Sequence, residues 1–127
     1  MIAGIGIDVI DVERIEKILC DNNGDRFMER TFTPEEQKYC NKFKNPFPRY
    51  AGRFAVKEAF IKAANHLCEN LSLKEIETVN ASSGAPSISI ISKKFDRKKY
   101  NIHVSISHTD RTAGAFVIIE NKEKGGL

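Results

Sequence analysis

The residues best suited to chemistry are charged side chains in a segment that is otherwise apolar. Among the alanine, valine, isoleucine and phenylalanine of residues 51–63 are Arg53, Lys57, Glu58 and Lys62. Residues four apart share one face of a helix, which puts the first two of these charges on one face and the last two on another. Because an unpaired buried charge is costly, these side chains must be paired or face a polar cleft. From the pattern alone, ordinary salt-bridged helix faces explain them as well as an active site does.

A further carboxylate lies near the start of the chain. Asp8 interrupts an apolar, β-branched run at residues 2–10 that predicts a mostly buried strand. An acidic residue in such a strand usually caps a helix, pairs with a cation or binds a metal. Asp8 and Glu58 together could hold Mg²⁺, which takes one or two carboxylates with water and substrate phosphates. The alternative is that Asp8 caps a helix that begins near Asp11.

Two glycines lie near the start of this predicted strand. Gly4 and Gly6 do not begin a dinucleotide-binding fingerprint, because Val9 occupies the third glycine position and no βαβ pattern follows. The sequence also lacks a GxxxxGK[ST] phosphate-binding loop. The glycines instead predict close backbone packing around the first strand.

The last polar group lies near the end of the chain. Residues 102–108 alternate between apolar and polar side chains, which predicts a strand. Its two histidines, His103 and His108, fall on opposite faces and therefore cannot share a metal. His108 ends the strand, where ligand contacts are common, although an exposed polar side chain is the simpler interpretation.

The periodicity of the apolar residues predicts an α+β fold. Helices are predicted at residues 12–20, from about residue 26, at residues 33–43 and at residues 49–68. Thr33 and Glu36 suggest a capping box at the start of the third helix. Strands are predicted at residues 2–10, 76–81, 87–91, 102–108 and 112–120, and residues 92–99 could form another helix with a basic face. The expected architecture is an antiparallel β-sheet packed against helices, including one long central helix.

The composition restricts the class of protein. The 127 residues suit one domain over residues 1–127, with residues 122–127 expected to be a frayed tail. With 20 basic and 17 acidic residues, the net charge of +3 is too small for a typical nucleic-acid-binding surface. The three cysteines show no CxxC spacing, which favours a reducing compartment, hence the cytoplasm. The N-terminus does not resemble a signal peptide, and no apolar run reaches the roughly 20 residues that cross a membrane.

Three blocks of the sequence together resemble the holo-[acyl-carrier-protein] synthase family, the short homotrimeric type of phosphopantetheinyl transferase. The blocks are residues 4–8 with Arg14, residues 51–63 and residues 104–109, with smaller matches at Phe27, residues 30–33, Glu36 and residues 84–86. The resemblance implies a single domain with the 4'-phosphopantetheinyl transferase fold. It also implies transfer of 4'-phosphopantetheine from coenzyme A (CoA) to a serine of apo acyl carrier protein, releasing adenosine 3',5'-bisphosphate, in fatty acid biosynthesis.

The resemblance implies roles for individual residues. Asp8 and Glu58 would hold Mg²⁺. Glu58, or a water molecule beside the metal, would take the serine proton, and Lys62 would stabilise or protonate the leaving phosphate. The residues that would hold CoA are Arg53, Lys57, Lys62, Gly84, Pro86 and His108. The acidic carrier protein would dock on a basic surface made by Arg14, Lys17 and Arg26, although residues 21–25 are less basic than is usual in the family.

Family members of this length are homotrimers that bind CoA between neighbouring subunits. A second subunit would then cover part of the apolar surface of the long helix. Asp8, Glu58 and Lys62 would serve a site on one side of that helix, while Arg53 would serve the neighbouring site. Two other functions could use the same residues: a Mg²⁺-dependent nucleotide phosphohydrolase, in which water is the acceptor, and a non-catalytic partner-binding module.

Overall fold

Four helices and five strands make up the described part of the chain, residues 1–122, in the computed structural model. In chain order they are β1 (Ile2–Asp11), α1 (Val12–Cys20), α2 (Gly24–Thr31), α3 (Pro34–Cys40), α4 (Phe47–Ala64), β2 (Ile76–Asn80), β3 (Pro86–Ile90), β4 (Tyr100–His108) and β5 (Thr112–Asn121). A short 3₁₀ turn, Leu73–Glu75, precedes β2. The predicted α+β class is therefore confirmed.

The strands form two antiparallel sheets. The larger sheet has the order β1-β5-β4, so β5 is its central strand, and β2 pairs with β3 in the smaller one. The consecutive strands β2 and β3, and likewise β4 and β5, form hairpins. The Thr109 hydroxyl accepts the backbone N–H groups of Arg111 and Thr112 at 3.1 and 3.0 Å, which closes the β4–β5 turn. Gly84 has a φ of +90° in the β2–β3 turn, a conformation that favours glycine.

Helix α4 lies against the inner face of β1 at two glycines. A Cβ atom at Gly4 would overlap the carbonyl oxygen of Ala63, and one at Gly6 would overlap that of Ala59. Two strand residues advance about 6.6 Å and four helical residues about 6.0 Å. Because these lengths are similar, Gly4 can lie against Ala63 and Gly6 against Ala59 at the same time. The predicted close packing around the first strand is confirmed, and Asp8 is the next residue of β1 to face inward.

The other face of the large sheet is apolar and exposed, so the prediction of a mostly buried first strand was wrong. Ile5, Ile7 and Val9 point outward and are 56%, 61% and 65% exposed. Phe116 of β5 lies beside Ile7 on the same face. Only alternate residues of β1 are buried, because α4 covers one face of the sheet alone. We call Ile5, Ile7, Val9 and Phe116 the outer apolar face.

Most of the apolar surface of α4 is covered by its own chain. Twelve of its 18 residues are buried, and the helix packs on β1, β5, α1 and β2. Phe54 and Ile61 are only partly buried, and that a neighbouring subunit covers this remaining part of the helix stays a prediction. The largest group of exposed apolar side chains described above lies on the sheet.

Several element boundaries differ from the predictions. Helix α4 begins at Phe47 because Pro48 is tolerated in the first turn, where no N–H is needed. It ends at Ala64, whose carbonyl accepts the N–H groups of both Leu67 and Cys68. Helix α3 begins with the predicted capping box but ends at Cys40, three residues early.

Residues 92–99 form turns rather than the predicted helix. The side chains of Ser92 and Asp96 accept backbone N–H groups two residues ahead, which competes with helix formation. Phe95 is buried against the rings of Phe60 and Tyr100, at centroid distances of 5.3 and 5.2 Å. Of the expected tail, the Lys122 N–H donates to the Lys99 carbonyl, and residues 123–127 lie outside the described residues.

The contact between β1 and α4 predicts a strong effect of one added methyl group. Gly6→Ala should lower the free energy of unfolding by at least about 3 kcal/mol, because the methyl group meets a helix backbone that cannot move alone. Gly114→Ala is the control, since its Cβ would lie 3.6 Å from the nearest heavy atom. Urea denaturation followed by circular dichroism measures both. Equal stabilities would show that the close approach is not a constraint.

Candidate active site

Asp8, Glu58 and Lys62 meet at one cleft between β1 and α4. Asp8 and Glu58 line it together with Arg14 and Phe54. The Lys62 ammonium lies 3.3 Å from the Asp8 carboxylate and donates to the Ile7 carbonyl at 3.0 Å. Helical side chains tilt toward the helix N-terminus, which is why Glu58 and Lys62 both reach back toward Asp8. We call this the carboxylate cleft.

The alternative role of Asp8, capping the first helix, is not found. The residue before α1 is Asp11, and its side chain makes no capping hydrogen bond. The Val12 N–H donates instead to the Arg111 carbonyl at 2.8 Å. Asp8 points to the opposite side of the strand from Ile7 and Val9, with 17% of its side chain exposed.

A second pocket, of about 170 Å³, brings together four predicted residues from three separate segments of the sequence. Arg53, Gly84, Pro86 and His108 line it, and the residues that complete its wall are Tyr39, Arg49, Gly52, Asn80 and Ile106. We call it the arginine pocket. It shares no lining residue with the carboxylate cleft. The separation follows from the helix, because five residues turn it by about 500°, which leaves Arg53 and Glu58 about 140° apart.

Arg53 is buried and held by two side chains that sequence reasoning missed. Its guanidinium lies over the ring of Tyr39, 4.0 Å from the centroid, and donates to the side-chain oxygen of Asn80. Only 4% of Arg53 is exposed. Asn80 precedes a turn rich in serine and glycine, and a strand-end asparagine is typical of turns. That pattern gives no sign of its contact with an arginine 27 residues earlier.

Lys57 does not face either cleft, so its predicted role in holding CoA is contradicted. Its ammonium is fully buried and donates to Glu36 at 2.7 Å, to the Leu73 carbonyl at 2.9 Å and to the Ile76 carbonyl. Burial lowers the pKa of Lys57, and the Glu36 carboxylate opposes that shift. With its three N–H groups engaged, Lys57 has none left for a ligand.

The Glu36 carboxylate connects this ion pair to three elements. It accepts the Thr33 N–H at 3.0 Å as part of the capping box of α3. Its other oxygen accepts the Thr78 N–H of β2 at 3.0 Å. The Lys57–Glu36 pair therefore ties α4 to the start of α3 and to β2, which carries Asn80 at its end.

The three predicted carrier-binding residues are exposed on neighbouring helices. Arg14 and Lys17 line a groove along α1, and Arg26 lies on α2. Lys17 forms an ion pair with Glu13 at 3.1 Å, with both side chains about three-quarters exposed. Arg14 also lines the carboxylate cleft. The groove on α1 thus leads directly to Asp8 and Glu58.

Comparison with known proteins agrees with this arrangement. Residues 4–118 match the sequence model of the 4'-phosphopantetheinyl transferase superfamily. The chain belongs to this superfamily. A holo-[acyl-carrier-protein] synthase from Thermodesulfovibrio yellowstonii is 45% identical over 119 residues, which span 94% of this chain and 99% of that protein. The resemblance inferred from the three sequence blocks is therefore confirmed.

Solved structures of holo-[acyl-carrier-protein] synthases share the fold. The crystal structure of the Bacillus anthracis protein in complex with CoA (3',5'-ADP) is 37% identical, with a TM-score of 0.80, and covers 96% of this chain and 99% of that one. The Helicobacter pylori protein in complex with coenzyme A is 34% identical, with a TM-score of 0.79 and coverages of 91% and 99%. The single-domain phosphopantetheinyl transferase fold is thus established for the described residues.

The buried ion pair predicts that Lys57 affects stability. Lys57→Met should lower the free energy of unfolding by about 3–5 kcal/mol, because it leaves the Glu36 carboxylate buried without a partner. Adding Glu36→Gln to this variant removes the unpaired charge and should restore part of the loss. Lys62→Met, at a side chain that is 55% exposed, is the control and should change stability by less than about 0.5 kcal/mol. A Lys57→Met protein that unfolds like the wild type but binds CoA weakly would restore the original assignment.

Proposed function

We propose that this chain transfers the 4'-phosphopantetheine group of CoA to a serine hydroxyl of apo acyl carrier protein. The observation that carries the proposal is the carboxylate cleft, where Asp8 and Glu58 face Lys62 in a chain of this superfamily. The CoA complexes of the Bacillus anthracis and Helicobacter pylori relatives support CoA as the donor. The carrier would be that of fatty acid biosynthesis.

The carboxylate cleft has the donor set that Mg²⁺ requires. Asp8 and Glu58 supply hard oxygen ligands, and two carboxylates suffice when water and substrate phosphates complete the coordination. Within residues 1–122, no cluster of three or more carboxylate, imidazole or thiol groups could hold a metal. Mg²⁺ bound by these two residues would neutralise charge on the CoA pyrophosphate.

The residues of the cleft can carry out the remaining chemistry of the transfer. The serine oxygen forms a bond to the phosphorus of the phosphopantetheine group, and the bond from that phosphorus to the bridging oxygen breaks. Adenosine 3',5'-bisphosphate leaves with the bridging oxygen. Glu58, or a water molecule, accepts the serine proton, and Lys62 stabilises or protonates the leaving phosphate.

The arginine pocket would hold the phosphates and adenine of CoA. Arg53 and His108 would contact phosphate groups, while Gly84 and Pro86 would border the adenine ring. This pocket and the carboxylate cleft lie on different sides of α4. A single CoA molecule would therefore bind the arginine pocket of one subunit and the carboxylate cleft of its neighbour.

A homotrimer would supply that neighbour. The outer apolar face is the exposed surface that a second copy would cover, since contiguous apolar patches mark association sites. Val9 belongs to this face and also lines the carboxylate cleft. A subunit seated on the outer apolar face would thus border the site that it completes.

The cytoplasm is the proposed location. All three cysteines are free thiols in the described residues, as expected in a reducing compartment. No helix within residues 1–122 has the length and apolar character needed to span a membrane.

The transfer itself is tested by the intact mass of the carrier. Incubation of apo acyl carrier protein with this protein, CoA and Mg²⁺ should add one phosphopantetheine group, and chelation of the metal should stop the reaction. Glu58→Gln should lower kcat by about 10²- to 10⁴-fold while the unfolding curve stays unchanged. Consumption of CoA with no gain in carrier mass would instead identify the phosphohydrolase. Binding without either reaction would identify the partner-binding module.

Carrier docking is tested by reversing one charge. Arg14→Glu should raise the KM for the acidic carrier about 10-fold or more, because the groove on α1 loses its cation at the entrance to the cleft. CoA affinity, measured by calorimetry, should stay the same. Arg97→Glu makes the same charge change in the exposed segment before β4 and should leave both values unchanged. Unaltered carrier kinetics in Arg14→Glu would refute the docking assignment.

Assembly is tested by light scattering during gel filtration. The wild-type protein should elute at three times the chain mass of 14.3 kDa. Ile7→Lys should yield monomers with little transfer activity, because it places a charge at the centre of the outer apolar face. Ile91→Lys replaces an isoleucine of similar exposure elsewhere and should remain trimeric. A monomeric wild-type protein with full activity would contradict the shared site.

A further inference from the structure

Asn80 makes two hydrogen bonds that fix its side chain between the arginine pocket and the adjoining turn. Its oxygen accepts from the Arg53 guanidinium, and its nitrogen donates to the Gly84 carbonyl at 3.0 Å. Only one orientation of the amide satisfies both partners, because a rotated amide would place donor against donor and acceptor against acceptor. Asn80 therefore sets the position of Arg53 relative to the turn that forms the pocket wall.

Arg53 keeps unused hydrogen-bonding capacity in this position. A guanidinium has five N–H donors, and Asn80 takes one of them. The Arg53 Nε atom is buried and has no hydrogen-bond partner among the described residues. The ring of Tyr39 covers one face of the guanidinium, and the remaining N–H donors lie in the guanidinium plane, as in any arginine. Such a planar donor set suits the several anionic oxygens of a phosphate.

The positive charge of Arg53 is also left without a counter-ion. Within residues 1–122, no carboxylate lies within ion-pairing distance of its guanidinium. This differs from Lys57, one helical turn later, whose ammonium is paired with Glu36 at 2.7 Å. The side chain that orients Arg53 is neutral, and an aspartate of the same shape at this position would form an ion pair with it.

We propose that Asn80 is a positioning residue for the donor substrate: it orients Arg53 toward the phosphates of the adenosine moiety and, being uncharged, preserves the arginine charge for them. The inference rests on the proposed function only in that the ligand of the arginine pocket is the nucleotide part of CoA. Tyr39 assists by stacking on the guanidinium, and Asn80 makes no direct contribution to the reacting atoms.

Replacement by aspartate separates the effect of charge from that of shape. Asn80→Asp should weaken binding of adenosine 3',5'-bisphosphate about 10- to 100-fold, because the new carboxylate takes up the arginine charge. Asn80→Ala should weaken it less, because Arg53 loses its orientation but keeps its charge. A role limited to holding Arg53 in place predicts the reverse order, since aspartate retains the shape and the bond to Arg53 and loses only the donation to Gly84. Asn121→Asp adds the same charge at the far end of β5 and should bind normally.

Titration calorimetry with adenosine 3',5'-bisphosphate measures this binding without any transfer, and thermal unfolding of each variant verifies that it is folded. Wild-type affinity in Asn80→Asp, a larger loss of affinity in Asn80→Ala, or no nucleotide binding by the wild-type protein would each overturn the inference.

The carrier mass assay distinguishes failure of this inference from failure of the proposed function. Nucleotide binding that falls in the expected order without carrier modification would support the role of Asn80 and refute the transferase. Carrier modification by a wild-type protein whose Asn80→Asp variant binds the nucleotide normally would support the transferase and refute the role of Asn80.

Discussion

The close approach of β1 to α4 is the constraint on which the site depends. Gly4 and Gly6 let the strand lie directly on the backbone of the helix, at Ala63 and Ala59. The next inward position holds Asp8, which meets Glu58 and Lys62 because their side chains lean back along the helix. Two residues without side chains thus determine the distance between three residues that carry charge. The chemistry of the cleft is a consequence of backbone packing.

Helix α4 distributes its charged residues among three environments. Glu58 and Lys62 reach the carboxylate cleft, Arg53 reaches the arginine pocket, and Lys57 is fully buried against Glu36. The spacing of these residues around the axis separates the environments, and the sheet and the smaller helices supply their walls. A buried ion pair does little for net stability compared with an apolar pair, but its loss on one side is costly. Lys57 and Glu36 therefore fix where β2 meets α4.

The sequence was sufficient to predict the α+β class, the capping box of α3 and most strands, because these follow from local periodicity and local hydrogen bonds. The sequence and the family resemblance also predicted a shared site for Asp8 and Glu58, which line one cleft. The sequence failed for Lys57, because a lysine in a charged helix looks the same whether it faces a ligand or a buried glutamate 21 residues earlier. The contact of Asn80 with Arg53 likewise depends on a tertiary neighbour, which local patterns do not encode. The turns at residues 92–99 were missed for another reason, because the side chains of Ser92 and Asp96 compete locally with helix formation.

The alternation of glycine and bulky residues along β1 also restricts the register in which the strand can pack on α4. A slip of one residue in either direction would put Ile5 beneath the helix, together with Ala3 or Ile7, and the Ile5 side chain could not fit against the helix carbonyl groups. A slip of two residues would put Asp8 in the place of Gly6 or Ile2 in the place of Gly4, and either side chain would meet the same obstruction at Ala59 or Ala63. Each neighbouring misalignment is excluded by steric overlap. The pairing that assembles the carboxylate cleft is the one that lets the two elements dock.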